Sequence, residues 1–175
     1  MDLKSSANIY FLTAIVTGFL LTLAYMSAEI EDDHTLSIGA EMPDLEYLSV
    51  KGLDRMRPDS SKHTLVMLFD EGCKVCTDQI DSLNAKTGIP AQMKILFCTT
   101  DIDFLMKRNF RRWRNLFTDE GAVFGIVKRR KFLAHFGLMI TPSYFLFGRD
   151  GKLIWMAKGV VSFNQITKIL LRGKS

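Results

Sequence analysis

Thr64-Leu65-Val66-Met67-Leu68-Phe69 is a short continuous apolar run, and after Asp70-Glu71-Gly72 it leads into Cys73-Lys74-Val75-Cys76. Such a run predicts a central strand buried on both faces. From Thr77 to Lys86, Ile80 and Leu83 recur at helical spacing and predict a helix. A strand, a turn and a cysteine at a helix start together demand an α/β arrangement. They also place Cys73 where free N–H groups and the positive end of the helix dipole favour a thiolate. Cys76 follows one turn later, close enough to close a disulfide with Cys73. So tight a loop constrains little of the unfolded chain, so an exchange centre is expected rather than a structural bridge.

The N-terminus has a different character. No charged residue occurs from Ser5 to Ala28, and Ile9 to Met26 is almost wholly apolar. Eighteen helical residues span about 27 Å, close to the roughly 30 Å hydrocarbon thickness of a bilayer. A cleaved signal peptide would have a shorter apolar core and a small-x-small exit, whereas Ala24-Tyr25-Met26-Ser27-Ala28 is crowded by Tyr25 and Met26. The expectation is a retained membrane anchor over residues 1–28, a polar linker over 29–37 and one domain over 38–175. Lys4 precedes the span while Glu29, Glu31, Asp32 and Asp33 follow it. Positive charge inside puts the N-terminus in the cytoplasm and the domain outside. An exchange-active pair is most useful on the outer side of a bacterial inner membrane, facing the periplasm.

Beyond the linker, Leu45 to Val50 alternates as a strand, Lys51-Gly52 turns, and Arg57 to Lys62 is a loop. Met93 to Cys98 is the next strand. Ile102 to Phe117 reads as an amphipathic helix with Leu105, Phe110 and Trp113 toward the core. Asp119-Glu120-Gly121 turns into a strand at Ala122-Val123-Phe124, and Arg130 to Phe136 is a helix stopped by Gly137. Tyr144 to Phe147 and Leu153 to Met156 flank the hairpin signal Arg149-Asp150-Gly151-Lys152. Phe163 to Leu171 closes the chain as a helix. This order indicates a central mixed sheet flanked by helices, with a terminal antiparallel pair.

The order resembles the thioredoxin fold, over roughly Ile38 to the C-terminus. The resemblance rests on Cys73-Lys74-Val75-Cys76 after an apolar strand, on Ile140-Thr141-Pro142-Ser143 before the strand 144–147, and on the hairpin Phe145 to Leu153. It implies that Pro142 is cis, faces the cysteine pair and, with Thr141, receives the substrate backbone. Ile38-Gly39-Ala40-Glu41-Met42-Pro43-Asp44-Leu45 is similar to the opening of the TlpA-like, peroxiredoxin-related branch, which contains membrane-tethered extracytoplasmic thiol–disulfide oxidoreductases. The Gly-Cys-x-Val-Cys context and Ala157-Lys158-Gly159-Val160-Val161 are similar to the methylamine utilisation proteins of the MauD type. That similarity implies a role in maturing the disulfide-rich small subunit of methylamine dehydrogenase.

Departures from the family pattern narrow the chemistry. Gly72 stands where thioredoxins usually have Trp, and Met67 occupies the position of their buried acid. A proton shuttle for Cys76 must come from elsewhere, with Asp70 and Glu71 as candidates. Neither cysteine of the pair has the P-x-x-x-T/S-x-x-C setting of peroxiredoxins, so peroxide reduction is not expected. Cys73 is the expected attacking thiolate, with the helix start and Lys74 lowering its pKa and Asp70 and Glu71 opposing them. Cys76 is the expected resolving thiol.

A zinc site would need two further ligands, and Cys98, His34, His63 and His135 are not at ligand spacing. Cys98 is expected to be a buried small hydrophobe. His63 and His135 are expected to be ordinary surface or boundary residues. The net charge of +4 is concentrated in Lys107, Arg108, Arg111, Arg112 and Arg114 and in Lys128, Arg129, Arg130 and Lys131. These are solvated helix faces or a dock for an acidic partner or anionic headgroups. The lack of a nucleic-acid motif argues against nucleic acid.

The expected activity is thiol–disulfide exchange on protein cysteines near the membrane, with no cofactor beyond the dithiol, no metal, and a membrane redox partner in reach. The alternatives are a non-catalytic docking or assembly factor using Arg111, Arg112 and Arg114, and a copper-delivery protein. The latter usually has C-x-x-x-C and a distal histidine, and neither is evident here.

Overall fold

The structure, a computed structural model, describes residues 15–20, 22, 36–86, 88–106, 109–137 and 139–172. The chain divides into two compact units, Met1–His34 and Thr35–Ser175. In the first unit residues 15–20 and 22 are helical. The rest of the expected anchor, and most of the linker, lie outside the described residues. Among the described residues no helix is long and apolar enough to cross a membrane.

The second unit contains strands β1 (Glu46–Ser49), β2 (Gly52–Arg55), β3 (His63–Leu68), β4 (Met93–Thr99), β5 (Ala122–Val127), β6 (Ser143–Phe147) and β7 (Leu153–Lys158). They form one sheet in the order β2-β1-β5-β4-β3-β6-β7. The central strands β3, β4 and β5 run parallel, and both flanks pair antiparallel. Helices are α1 (Lys74–Asn84), α2 (Asn109–Arg112), α3 (Arg114–Thr118), α4 (Arg129–Phe136) and α5 (Phe163–Arg172), with a 3-10 turn at Phe104–Met106. The mixed sheet flanked by helices and closed by an antiparallel pair is as expected.

Side chains alternate across a strand, so the continuous apolar run of β3 feeds two cores at once. Leu65, Met67 and Phe69 join one cluster with Ile80 and Leu83 of α1, Leu116 of α3 and Ile166 and Leu170 of α5. Val66 and Leu68 join the other, with Phe132 and Phe136 of α4. The strand that leads to the cysteines is thus covered on both faces. α4 ends at Gly137, whose φ of 67° is the left-handed geometry that glycine adopts without penalty.

Two elements depart from expectation. β2 extends what reads as a simple turn after Lys51-Gly52; Leu53 is its sole large apolar residue, so alternation gives no signal there. The expected helix over Ile102 to Phe117 is broken into the 3-10 turn, α2 and α3. Trp113 interrupts it with φ −112° and ψ 39°, outside helical geometry. Its ring lies against Phe69, Phe104 and Phe124, with centroids 5.7–6.1 Å apart, and the contact area of these aromatics outweighs helix continuity. Trp113 is buried and Leu105 partly so, as expected. The side chain of Phe110 lies outside the described residues, and Phe104 fills the core.

Candidate active site

β3 ends beneath a tight turn that aims Cys73 at solvent. The backbone N–H of Phe69 donates to the Cys98 carbonyl at 2.9 Å, the last bond holding the strand end to β4. Asp70 then organises the turn. Its carboxylate accepts from the Gly72 N–H at 2.7 Å, and its carbonyl accepts from the Cys73 N–H at 3.2 Å. Cys73 is the N-cap of α1, in extended geometry, and its Sγ accepts from the Cys76 N–H at 3.3 Å. A helix-start N–H directed at the sulfur is the arrangement that stabilises a thiolate.

Cys73 and Cys76 are joined as a disulfide, with their Cα atoms 5.3 Å apart. Cys73 is half-buried and Cys76 fully buried, so only the first sulfur meets an incoming molecule. The Lys74 ammonium lies 2.6 Å from the Asp78 carboxylate, a turn along the helix, which diverts its charge from the sulfurs.

The Thr141–Pro142 peptide bond is cis, as the resemblance implied. The Thr141 carbonyl oxygen lies 3.9 Å from Cys73 Sγ. Around it the loop is pinned by Gly159 N–H to the Pro142 carbonyl at 2.8 Å and by the Ser143 hydroxyl to the Ile140 carbonyl at 2.5 Å. Residues 68 positions apart in sequence therefore share one site.

Met67, at the position of the missing acid, is buried and pairs in register with Tyr144 and Phe97. Burial pushes the Tyr144 phenol above its ordinary pKa, so it stays neutral. Of the two shuttle candidates, Asp70 is exposed and occupied in its turn, while Glu71 is partly buried.

Two side chains that hold α1 escape sequence reasoning. Gln79 donates from Nε2 to the Val161 carbonyl at 3.1 Å, tying the helix to the segment after β7. Asp81 accepts from Arg112 Nε and Nη2 and from Trp113 Nε1, at 3.0, 2.5 and 2.7 Å. The Arg112 bonds foremost hold its carboxyl below the ordinary carboxylate range. Arg112 thus has a structural role while remaining exposed, as Arg111 and Arg114 are; Lys107 and Arg108 lie outside the described residues.

Cys98 is buried in the cluster on the other face of the sheet from α1, and desolvation pushes its thiol pKa up. Among the described residues no group of three His, Cys, Asp or Glu side chains could hold a metal ion.

Residues 53–174 match the family model described as "Thioredoxin-like domain". No curated protein matches the chain. Among solved structures, a peroxiredoxin-like protein from Aquifex aeolicus superposes with a TM-score of 0.64 at 10% identity, covering 78% of this chain and 88% of that one. A thiol:disulfide interchange protein from a Bacteroides species gives 0.59 at 14% identity, covering 78% and 90%. The thioredoxin domain of a thiol-disulfide oxidoreductase from Bacteroides vulgatus gives 0.55 at 18%, covering 77% and 98%. At these identities the likeness concerns the fold.

Proposed function

The chain belongs to the thioredoxin-like domain family, and on that premise we propose that it is a thiol–disulfide oxidoreductase acting on cysteines of other proteins. The observation that carries this is the pairing of a half-buried Cys73 at the N-cap of α1 with a buried Cys76, beside the Thr141 carbonyl.

Starting from the dithiol, the Cys73 thiolate attacks one sulfur of a client disulfide. That S–S bond breaks, one client thiolate leaves, and a mixed disulfide forms. Cys76 then loses its proton and attacks the Cys73 sulfur, which releases the second client thiolate. The client disulfide has gained two electrons and two protons, and Cys73–Cys76 is now oxidised. The reverse sequence oxidises a client dithiol. Burial of Cys76 orders the steps, because it reaches only the sulfur already on Cys73. We assign the proton acceptor for Cys76 to the acidic turn before the pair, where Glu71 is the more buried of its two carboxylates.

The same proposal places the domain outside a bacterial inner membrane, tethered by the uncharged segment Ser5 to Ala28. A tether raises the effective concentration of the dithiol for membrane-proximal clients. The similarity of the segments around Cys73 and Ala157 to MauD-type proteins supports a disulfide-rich client of the methylamine dehydrogenase small-subunit kind.

The test is trapping. A full-length Cys76→Ser, Cys98→Ala variant expressed in its native host retains mixed disulfides on Cys73, which non-reducing separation and mass spectrometry identify. A discrete cysteine-bearing adduct is expected, and it disappears with Cys73→Ser. A folded variant with accessible Cys73 and no adduct would sink the reading.

A further inference from the structure

The parallel strands β3, β4 and β5 end at the same edge of the sheet, where β3 delivers Cys73 and β5 delivers Lys128 to Lys131. Beside β5 lies a groove of about 370 Å³ lined by Leu48, Leu53, Ile102 and Ile126 and rimmed by Lys128, Arg129 and Lys131. Register explains its floor. Leu53 pairs with Leu48, and Leu48 pairs with Ile126, so the three side chains stand in a row across β2, β1 and β5. Ile126 packs against the cluster that contains α1, while its neighbour Val127 belongs to the opposite cluster. The floor therefore lies on the α1 face while Val127 and the α4 residues of the rim come from the other, so the groove opens at the strand-end edge where β3 delivers Cys73.

This surface has no internal use. Leu53 is 72% exposed and Ile102 76% exposed, an apolar floor that the described residues leave uncovered. Lys128, Arg129, Arg130 and Lys131 are all exposed and form no ion pair among the described residues. They also crowd the positive end of α4, whose N-cap Lys128 makes no side-chain capping bond and whose first turn has no acidic residue. Cations there raise the energy of the free protein, and an anionic partner lowers it.

We infer that this groove recognises the client: it takes a client segment carrying aliphatic side chains flanked by carboxylates, adjacent to the cysteine attacked by Cys73. The inference rests on the exchange reading above and deepens it. A polypeptide fits better than a lipid surface, because the apolar floor is a concave groove, which a single extended segment fills and a flat headgroup layer does not. Strands lie about 4.8 Å apart, so β5 and β1 stand roughly 10–15 Å from β3. About four extended residues cover that distance.

The probes are three synthetic peptides, each with one cysteine capped as its 2-hydroxyethyl disulfide, a four-residue Gly/Ser spacer, and then Glu-Leu-Glu-Leu, Lys-Leu-Lys-Leu or Ser-Gly-Ser-Gly. The full chain in neutral detergent is reduced with dithiothreitol and freed from it, so Cys73 and Cys76 supply the electrons. The acidic peptide is expected to react about tenfold faster than the basic one at low salt, with the gap closing in high salt. Lys128→Glu with Arg129→Glu should abolish the preference while leaving the rate with bis(2-hydroxyethyl) disulfide unchanged. Leu53→Ser should lower the acidic-peptide rate alone.

Equal rates for the three peptides, or a preference that survives charge reversal, overturn the inference. So does protection of Lys128 from acetylation by phosphatidylserine but not phosphatidylcholine micelles with no discrimination among peptides, which makes the surface a lipid dock. If no disulfide reacts, bis(2-hydroxyethyl) disulfide included, the exchange reading is what has failed. Fluorescence anisotropy with a cysteine-free Glu-Leu-Glu-Leu peptide then decides the groove: binding lost on charge reversal upholds it, and no binding overturns it.

Discussion

Trp113 Nε1 donates a 2.7 Å hydrogen bond to Asp81 Oδ1, two turns beyond Cys73 along α1. The same carboxylate holds Arg112, and the Arg112 guanidinium lies over the Trp113 ring, 5.5 Å from its centroid. One acid thus fastens the cysteine helix to the segment that breaks at Trp113. Asp81→Ala leaves the buried indole N–H without its acceptor and should cost about 1–3 kcal/mol in urea unfolding. Because the folded carboxyl titrates below its ordinary value, its contribution is complete above the unfolded-state pKa, about 3.9. It fades as pH falls through the lower folded value. Asp81→Asn should therefore flatten the loss of stability in that acid window; an unchanged acid slope would count against the linkage.

Cys98 sits opposite Gly125 and Leu68 in the sheet, fully buried on the face away from the dithiol. Its thiol is held neutral by desolvation, so reduced native protein should resist iodoacetamide at Cys98 and react there only in denaturant. Cys98→Ala should cost about 1 kcal/mol by lost burial. Cys98→Ser should cost more, about 1–3 kcal/mol, because it buries a hydroxyl. Alkylation of Cys98 in the native state at a rate like that of Cys73 would refute this placement.

Much of this architecture was legible because the signals were local. An apolar run with no polar interruption marked β3, and Gly137 marked the end of α4 as expected. Cys73 and Cys76 needed only their own spacing and flanks. Thr141 and Pro142 needed the family resemblance, since nothing local ties residue 141 to residue 73. What stayed hidden was set by contacts distant in sequence. The break at Trp113 follows from its packing on Phe69, Phe104 and Phe124 rather than from any helix breaker. Gln79 and Asp81 look like ordinary solvent-facing positions of an amphipathic helix, yet one reaches Val161 and the other Arg112 and Trp113. The short β2 carries one large apolar residue and is held by pairing with β1.

Gly125 gives a third prediction. A Cβ added there would lie 2.8 Å from the Tyr47 ring and 3.0 Å from its Cβ. Tyr47 is buried, and its hydroxyl donates to the Asp54 carboxylate at 3.0 Å, so the ring has little room to retreat. Gly125→Ala should cost about 1–3 kcal/mol by overpacking. In a Tyr47→Ala background the same substitution should cost much less, a non-additivity that a double-mutant cycle in urea measures. Additive losses would place the penalty in the strand itself and not in this contact.

The unequal exposure of the two site sulfurs yields the last prediction. Cys73 is half-buried while Cys76 is fully buried. In the reduced protein, brief alkylation near neutral pH should modify Cys73 and spare Cys76. The Cys76 N–H directed at Cys73 Sγ favours the anion, so the alkylation rate at Cys73 should reach half its plateau below the ordinary cysteine pKa of about 8.5. Lys74→Ala should shift that midpoint only slightly, because Asp78 already engages the ammonium. Glu71→Gln tests a different step. It should leave the Cys73 alkylation midpoint nearly in place yet slow release of a preformed mixed disulfide at neutral pH, with the deficit shrinking as alkaline pH ionises Cys76 unaided. A Glu71→Gln variant that resolves the mixed disulfide at the parental rate across the pH range would remove Glu71 from the proton path.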